Sequence, residues 1–235
     1  MIPIRDSNTW TKTAPVLTAL ILLINAAVFV YQVRLGEGAG AFLFRFGTIP
    51  WEITNFTELP DLSPPERSPI PVFLTLITGM FLHGGFLHLA GNMLYLWIFG
   101  DNVEALTGHR RFPIFYLTCG LVASLTHVFF QPGSTVPMIG ASGAVSGILG
   151  AYFMRFPKAR VHVLVFIPFL LLRTVPVPAV LVLGFWFLMQ LLNGLGSLHF
   201  RQTGGIAWFA HIGGFVAGAV LIFFFEKKRG RVIVR

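Results

Sequence analysis

Charged residues are scarce in this chain: 11 % of its 235 positions are Asp, Glu, Lys or Arg, against 55 % that are hydrophobic. With a mean hydropathy of +0.76, that balance excludes a soluble globular domain, which needs more polar surface. Cysteine is nearly missing, and the single Cys119 cannot close an internal disulfide, so it carries no catalytic weight. Acidic residues are also few, 9 against 17 Lys and Arg, leaving a net charge of +8. The basic residues stand in short clusters beside apolar segments rather than along one face, so membrane lipids, not nucleic acid, are their expected counterpart. No His-Glu-x-x-His motif occurs and no aspartates pair within an apolar run, which argues against metal and aspartyl chemistry. No metal and no cofactor is expected.

What the chain has in quantity is apolar runs of membrane-spanning length. Six are expected to cross a bilayer, at Ala14–Val33, Val72–Phe99, Phe112–Phe130, Val136–Met154, Val175–Leu195 and Ile206–Phe225. The fold class that follows is an all-α membrane protein, a six-transmembrane-helix bundle forming one domain over residues 1–235. The apolar stretch Val161–Leu172 is too short to cross and is expected to be interfacial. The 25 Gly and 15 Pro suit packed membrane helices. Residues 34–71 form the longest connection, a first outer loop with five of the nine acidic residues. Its prolines, among them Pro50, Pro60, Pro64 and Pro65, predict ordered or extended non-helical structure.

Orientation follows from the Lys and Arg distribution. Arg5 and Lys12, Arg110 and Arg111, the group Arg155, Lys158, Arg160 and Arg173, and the tail with Lys227, Lys228, Arg229, Arg231 and Arg235 fall on one side. Only Arg34, Arg45, Arg67 and Arg201 fall on the other. Both termini, 1–13 and the basic tail 226–235, are therefore expected in the cytoplasm, with the first span read as an uncleaved anchor rather than a signal peptide. In a bacterium the host would be the plasma membrane.

Polar side chains inside spans are costly and mark function or helix contacts. His88 and Asn92 lie four residues apart and share one helix face. Ser142 stands in Gly140-Ala141-Ser142-Gly143, where the Pro/Gly-rich stretch 131–140 gives way to a helix-forming one, and His211 opens His211-Ile212-Gly213-Gly214. His88 is 13 residues from Asp101, Ser142 is 13 from Arg155 and His211 is 15 from Glu226. At about 1.5 Å per residue, all three lie roughly 20 Å from the charged ends of their spans. Gly143 and Gly147 in the fourth span, and Gly214 and Gly218 in the sixth, form small-residue stripes that let these helices touch.

An imidazole at the depth of a serine can take the hydroxyl proton as Oγ attacks a carbonyl. A lone membrane serine more often bonds a neighbouring helix, and a lone histidine more often packs; the shared depth favours the catalytic reading of the two together. Ser146, one turn below, is a minor rival nucleophile. No Asp or Glu reaches the site, so the expected machinery is a Ser142–His211 dyad. The Ser142 N–H, the Asn92 amide and a His88 ring nitrogen are candidate oxyanion donors. Water can reach them if 131–140 dips into the membrane as irregular backbone lining a cavity. His83 is expected to be structural; His127 and His199 are placed near the outer surface, His109 and His162 near the inner one.

These residues resemble the rhomboid family of intramembrane serine proteases. Phe81–Asn92 looks like its second-helix signature, Gly140–Gly143 like its nucleophile motif and Ala210–Gly214 like its base motif, over about residues 70–225. The resemblance implies Ser142 as nucleophile, His211 as general base, and His88 and Asn92 as oxyanion stabilisers. It further implies cleavage of single-span transmembrane protein substrates near the outer membrane boundary. Glu104 matches a structural family glutamate. There are two departures from the pattern: Leu74-Thr75 replaces a Trp-Arg pair, and Ser146 stands where some members stack a tyrosine on the base, so another group must orient His211. A catalytically silent, helix-binding rhomboid-like protein is the alternative; a histidine-relay transporter would spread its ionisable groups through the bilayer.

Overall fold

The computed structural model describes residues 2–7, 14–167, 171–199 and 206–227. Nine helices run through these residues: α1 (Val16–Arg34), α2 (Ala39–Phe46), α3 (Pro50–Asn55), the single turn α4 (Thr75–Thr78), α5 (Phe86–Thr107), α6 (Phe112–Phe130), α7 (Ser142–Arg155), α8 (Ala179–His199) and α9 (Trp208–Phe225). Three strands join them: β1 (Ile2–Asp6), β2 (Arg160–Ile167) and β3 (Leu171–Pro178). Four helices, α1, α6, α8 and α9, are long and apolar enough to cross a membrane, and a bent pair adds a fifth candidate. The chain is thus an integral membrane protein, mostly helical.

Three expectations need correction. The second apolar run is not one straight span: Val72–Phe81 and α5 meet at an 80° bend. Gly84 and Gly85 lie in the break, where the Phe-Leu-His-Gly-Gly sequence cannot carry a helix at low cost. The fourth run is helical only from Ser142, which gives α7 14 residues and a length of about 21 Å, short of a bilayer core. Nor is the chain all-α. β1, β2 and β3 form an antiparallel sheet with β2 in the middle. Alternating β-branched residues at Val161, Val163 and Val165 favour a strand over a helix. Pro176 and Pro178 are tolerated because β3 is an edge. The first four residues of the expected fifth span, Val175–Pro178, therefore belong to this sheet. Most of the basic tail lies outside the described residues.

The first loop is ordered, but it holds two short helices. Pro50 sits in the first turn of α3, where its missing N–H is not needed. Thr48 and Met138 exchange backbone bonds of 3.0 and 2.7 Å, which ties this loop to the irregular segment before α7.

The core is the contact of α7 with α9, the most extensive among the described residues, with α5 and α6 packed beside them. Glycine makes it close. A methyl group on Gly218 would lie 1.8 Å from the Gly147 carbonyl oxygen, and one on Gly214 would lie 2.1 Å from that of Gly143. Without a buried hydrophobic driving force in lipid, such backbone proximity is the main source of helix association. Phe99, Phe115, Tyr116, Ile148 and Tyr152 fill the interior below.

Two buried side chains fasten α1 to this bundle. Glu104 on α5 accepts the Leu17 N–H (2.9 Å), the Thr18 N–H (2.7 Å) and the Thr18 hydroxyl (2.7 Å), so a carboxylate satisfies amides that the helix start leaves open. Near the other end of α1, Gln32 donates to the His83 carbonyl and accepts its N–H, each at 3.1 Å. Both described chain ends lie at the Glu104 end. Asp6 of β1 accepts bonds from Asn102 (3.0 Å) and Tyr152 (2.5 Å), and the Lys227 N–H donates to the Leu106 carbonyl.

Candidate active site

The irregular segment 131–141 lines one side of a cavity of about 950 Å³, whose wall also includes His88, Asn92, Ser142, Trp186 and His211. Ser142 is the first residue of α7, so its side chain emerges at the helix start and its N–H has no acceptor within the helix. His211 lies in the first turn of α9. Because Gly143 and Gly214 bring the two backbones together, His211 Nε2 lies 2.9 Å from Ser142 Oγ. The two residues singled out in the sequence thus meet, within reach for a proton transfer.

Gly140 adopts φ +116°, a conformation that side chains disfavour, and a Cβ there would fall 2.7 Å from His88 Nε2. Glycine therefore lets the imidazole of His88 lie against the turn that leads to Ser142. The Gly84 N–H donates to His88 Nδ1 at 3.4 Å. Accepting there puts the ring proton on Nε2, the nitrogen facing Gly140. Asn92, one turn further along α5, is buried, and its Nδ2 has no hydrogen-bond partner among the described residues. A Cβ on Gly140 would lie 3.6 Å from that amide nitrogen, so Asn92 and His88 both lie against Gly140, two residues before Ser142, and line the same cavity.

Gly147 and Gly218 lie deeper, at the helix contact. Ser146 is occupied locally, its hydroxyl donating to the Ser142 carbonyl at 2.6 Å. His83 packs its ring edge-on to His88, 5.1 Å between centroids. His127 lines the cavity, not merely the surface expected of it; His109 pairs with Glu104 at 2.5 Å and His162 lies in β2. The His199 side chain and Arg201 fall outside the described residues.

Sequence reasoning passed over two residues of α8. Gln190 Oε1 lies 2.8 Å from His211 Nδ1, and the Trp186 ring lies over the same imidazole, 5.9 Å between centroids at 36°. A lone glutamine in the middle of an apolar helix is itself a costly residue, and that was the available signal.

The chain is an integral membrane protein whose half-buried Ser142–His211 pair lines a cavity, and comparison with known proteins gives its family. Residues 72–228 match the Rhomboid domain, and the chain belongs to the rhomboid family. It is 35 % identical over 150 residues to the rhomboid protease GluP of Bacillus subtilis, covering 62 % of this chain and 25 % of that protein. It is 29 % identical over 160 residues to the mitochondrial Rhomboid protein 1 of Saccharomyces cerevisiae, covering 66 % and 42 %. Similarity to the presenilin-associated rhomboid-like protein A of Danio rerio is 28 % over 92 residues, 38 % and 24 % of the two chains. The matched regions span less than half the length of these relatives.

Proposed function

We propose that this chain is an intramembrane serine endopeptidase that hydrolyses peptide bonds of single-span transmembrane substrates near the outer membrane boundary. The observation that carries the reading is the 2.9 Å contact of Ser142 Oγ with His211 Nε2 inside a cavity. In this mechanism Nε2 takes the serine proton as Oγ attacks the scissile carbonyl, then returns it to the leaving amine. The new oxyanion is held by the Ser142 N–H, Asn92 Nδ2 and His88 Nε2. Water collapses the acyl-enzyme by the reverse sequence, entering by the cavity beside 131–141. The membrane arrangement we infer has six crossings, α7 and the segment before it making the fourth, with both termini in the cytoplasm.

The test is cleavage of a reconstituted single-span reporter. Ser142→Ala and His211→Ala are expected to abolish product formation, and Asn92→Ala to lower kcat about a hundredfold, on the order of 3 kcal/mol of transition-state stabilisation. Wild-type protein that leaves every reporter intact while still binding it would instead support a silent, helix-binding role.

A further inference from the structure

The serine and histidine of the site explain a proton transfer only if the imidazole presents a bare Nε2 to Ser142. A neutral imidazole carries one proton, so a serine that donates to Nε2 requires it on Nδ1. In a membrane interior nothing guarantees that tautomer. Among the described residues no carboxylate bonds His211, and the position one turn after the nucleophile, Ser146, is turned away to the Ser142 carbonyl.

What does stand behind it is an amide. Gln190 Oε1 lies 2.8 Å from His211 Nδ1. Which end of an amide faces a partner has to be read from its other bond, and here the Gln190 Nε2 donates, at 3.4 Å, to the carbonyl of Trp186 one turn back on α8. A carbonyl can only accept, so the NH₂ faces Trp186 and the oxygen faces the imidazole. The reverse orientation would set two acceptors against each other at Trp186. It would also move the ring proton to Nε2, where it would block the serine.

The surroundings hold this amide in place. Gln190 is 6 % exposed. Trp186, Gln190 and Gly194 succeed one another at i, i+4 and i+8, one face of α8. A Cβ on Gly194 would meet Ile212 Cδ1 at 3.2 Å and Trp208 Cβ at 3.5 Å. That glycine therefore lets α8 close on the start of α9, next to His211. Trp186 covers the imidazole from the same face.

We infer that Gln190 is the positioning residue of the proposed hydrolase, fixing His211 as the Nδ1–H tautomer and orienting Nε2 toward Ser142. As Nε2 takes the serine proton, the Nδ1–H···O=C bond becomes charge-assisted and strengthens, so the amide favours the imidazolium over the resting ring. It does so without a buried carboxylate, whose desolvation inside a membrane is costly. The inference rests on the Ser142–His211 reading above.

The experiment uses the full chain in detergent micelles and a fluorescent fluorophosphonate as probe, since its covalent attachment to serine reports nucleophile activation independently of any protein substrate. Wild type is expected to label and Ser142→Ala not to. Gln190→Met, close in shape but without an acceptor, is expected to label with a maximal rate lower by about tenfold to a hundredfold and a probe affinity within about twofold. Gln190→Glu, which restores an acceptor, is expected to recover most of that rate. An unlabelled wild type removes the dyad and this inference with it. Labelling of wild type and Gln190→Met at rates within about twofold removes this inference alone, as does an equal loss in the Met and Glu variants. A measurement that needs no variant decides the case if Gln190→Met does not fold: histidine ¹⁵N shifts of wild type are expected to give His211 as Nδ1–H, and a resting Nε2–H ring overturns the inference.

Discussion

The polar side chains gathered around the proposed dyad are a hydroxyl, two imidazoles and two amides, none of them a permanent ion, all drawn from spans or from the helix start beside them. Charge then develops only during reaction, where fixed dipoles are ready for it, and no ion has to be carried into lipid. The ionisable residue buried in the first loop behaves differently. Glu52, 1 % exposed on α3, uses Oε1 to accept the Leu59 N–H at 3.0 Å. Burial pushes its carboxyl above the ordinary range, the Leu59 bond opposes this, and nearby Glu58 adds to it. The folded carboxyl therefore holds its proton more tightly than the unfolded one. Its contribution to stability is complete below the ordinary carboxylate range and is lost as pH rises through the raised value. Glu52→Gln keeps an acceptor for Leu59 and removes the titration. Its thermal midpoint in detergent is expected to match wild type near about pH 4 and to gain on it toward about pH 7; a difference that stays constant with pH counts against this account.

Among the elements, α7 and α9 matter most, because their separation sets the distance between the two reacting atoms. The Gly218 contact leaves no room for a side chain beside the Gly147 carbonyl. Gly218→Val is expected to force the helices apart at a cost of about 3 kcal/mol. Both the thermal midpoint and fluorophosphonate labelling should fall, whereas Gly196→Ala, at a position where a methyl meets nothing, should leave both near wild type. This contact was legible in the amino-acid sequence, since glycines at spacings of four mark a close helix face. So was the level of Ser142, His88 and His211, because a polar residue in an apolar run stands out. The sheet was not legible as such. A short apolar stretch such as Val161–Leu172 fits an interfacial helix as well as a strand, and pairing with Ile2–Asp6 across the whole chain decides it. Gln190 was within reach of the rule that picks out His88, but it carries no charge, so looking for a carboxylate behind the imidazole does not find it.

For the molecule as a whole, both described chain ends sit at the Glu104 end of the bundle, while the first loop and the cavity lie toward the other. The lone Cys119 is fully buried, so a membrane-impermeant maleimide should find no native target. Cysteines placed singly at Ser7 and at Phe56, which is 75 % exposed in the first loop, then report sidedness. In intact bacterial cells Phe56→Cys is expected to label and Ser7→Cys only after permeabilisation, consistent with the Lys and Arg asymmetry. Labelling of Ser7→Cys but not of Phe56→Cys in intact cells would reverse the assignment of the termini.

The fastenings of α1 bear on the site from a distance. The Rhomboid domain match begins at residue 72, so α1 lies outside it, clasped to it by Glu104 at Thr18 and by Gln32 at His83. Fourteen residues of helix separate Thr18 from Gln32, a rigid span of about 21 Å. It works as a gauge rod: one foot stands on the charged shoulder of α5, and the other holds the bend from which His88 departs little more than a turn later. In the proposed mechanism, the height at which His88 and Asn92 stand beside the site is thereby calibrated by a helix outside the matched domain.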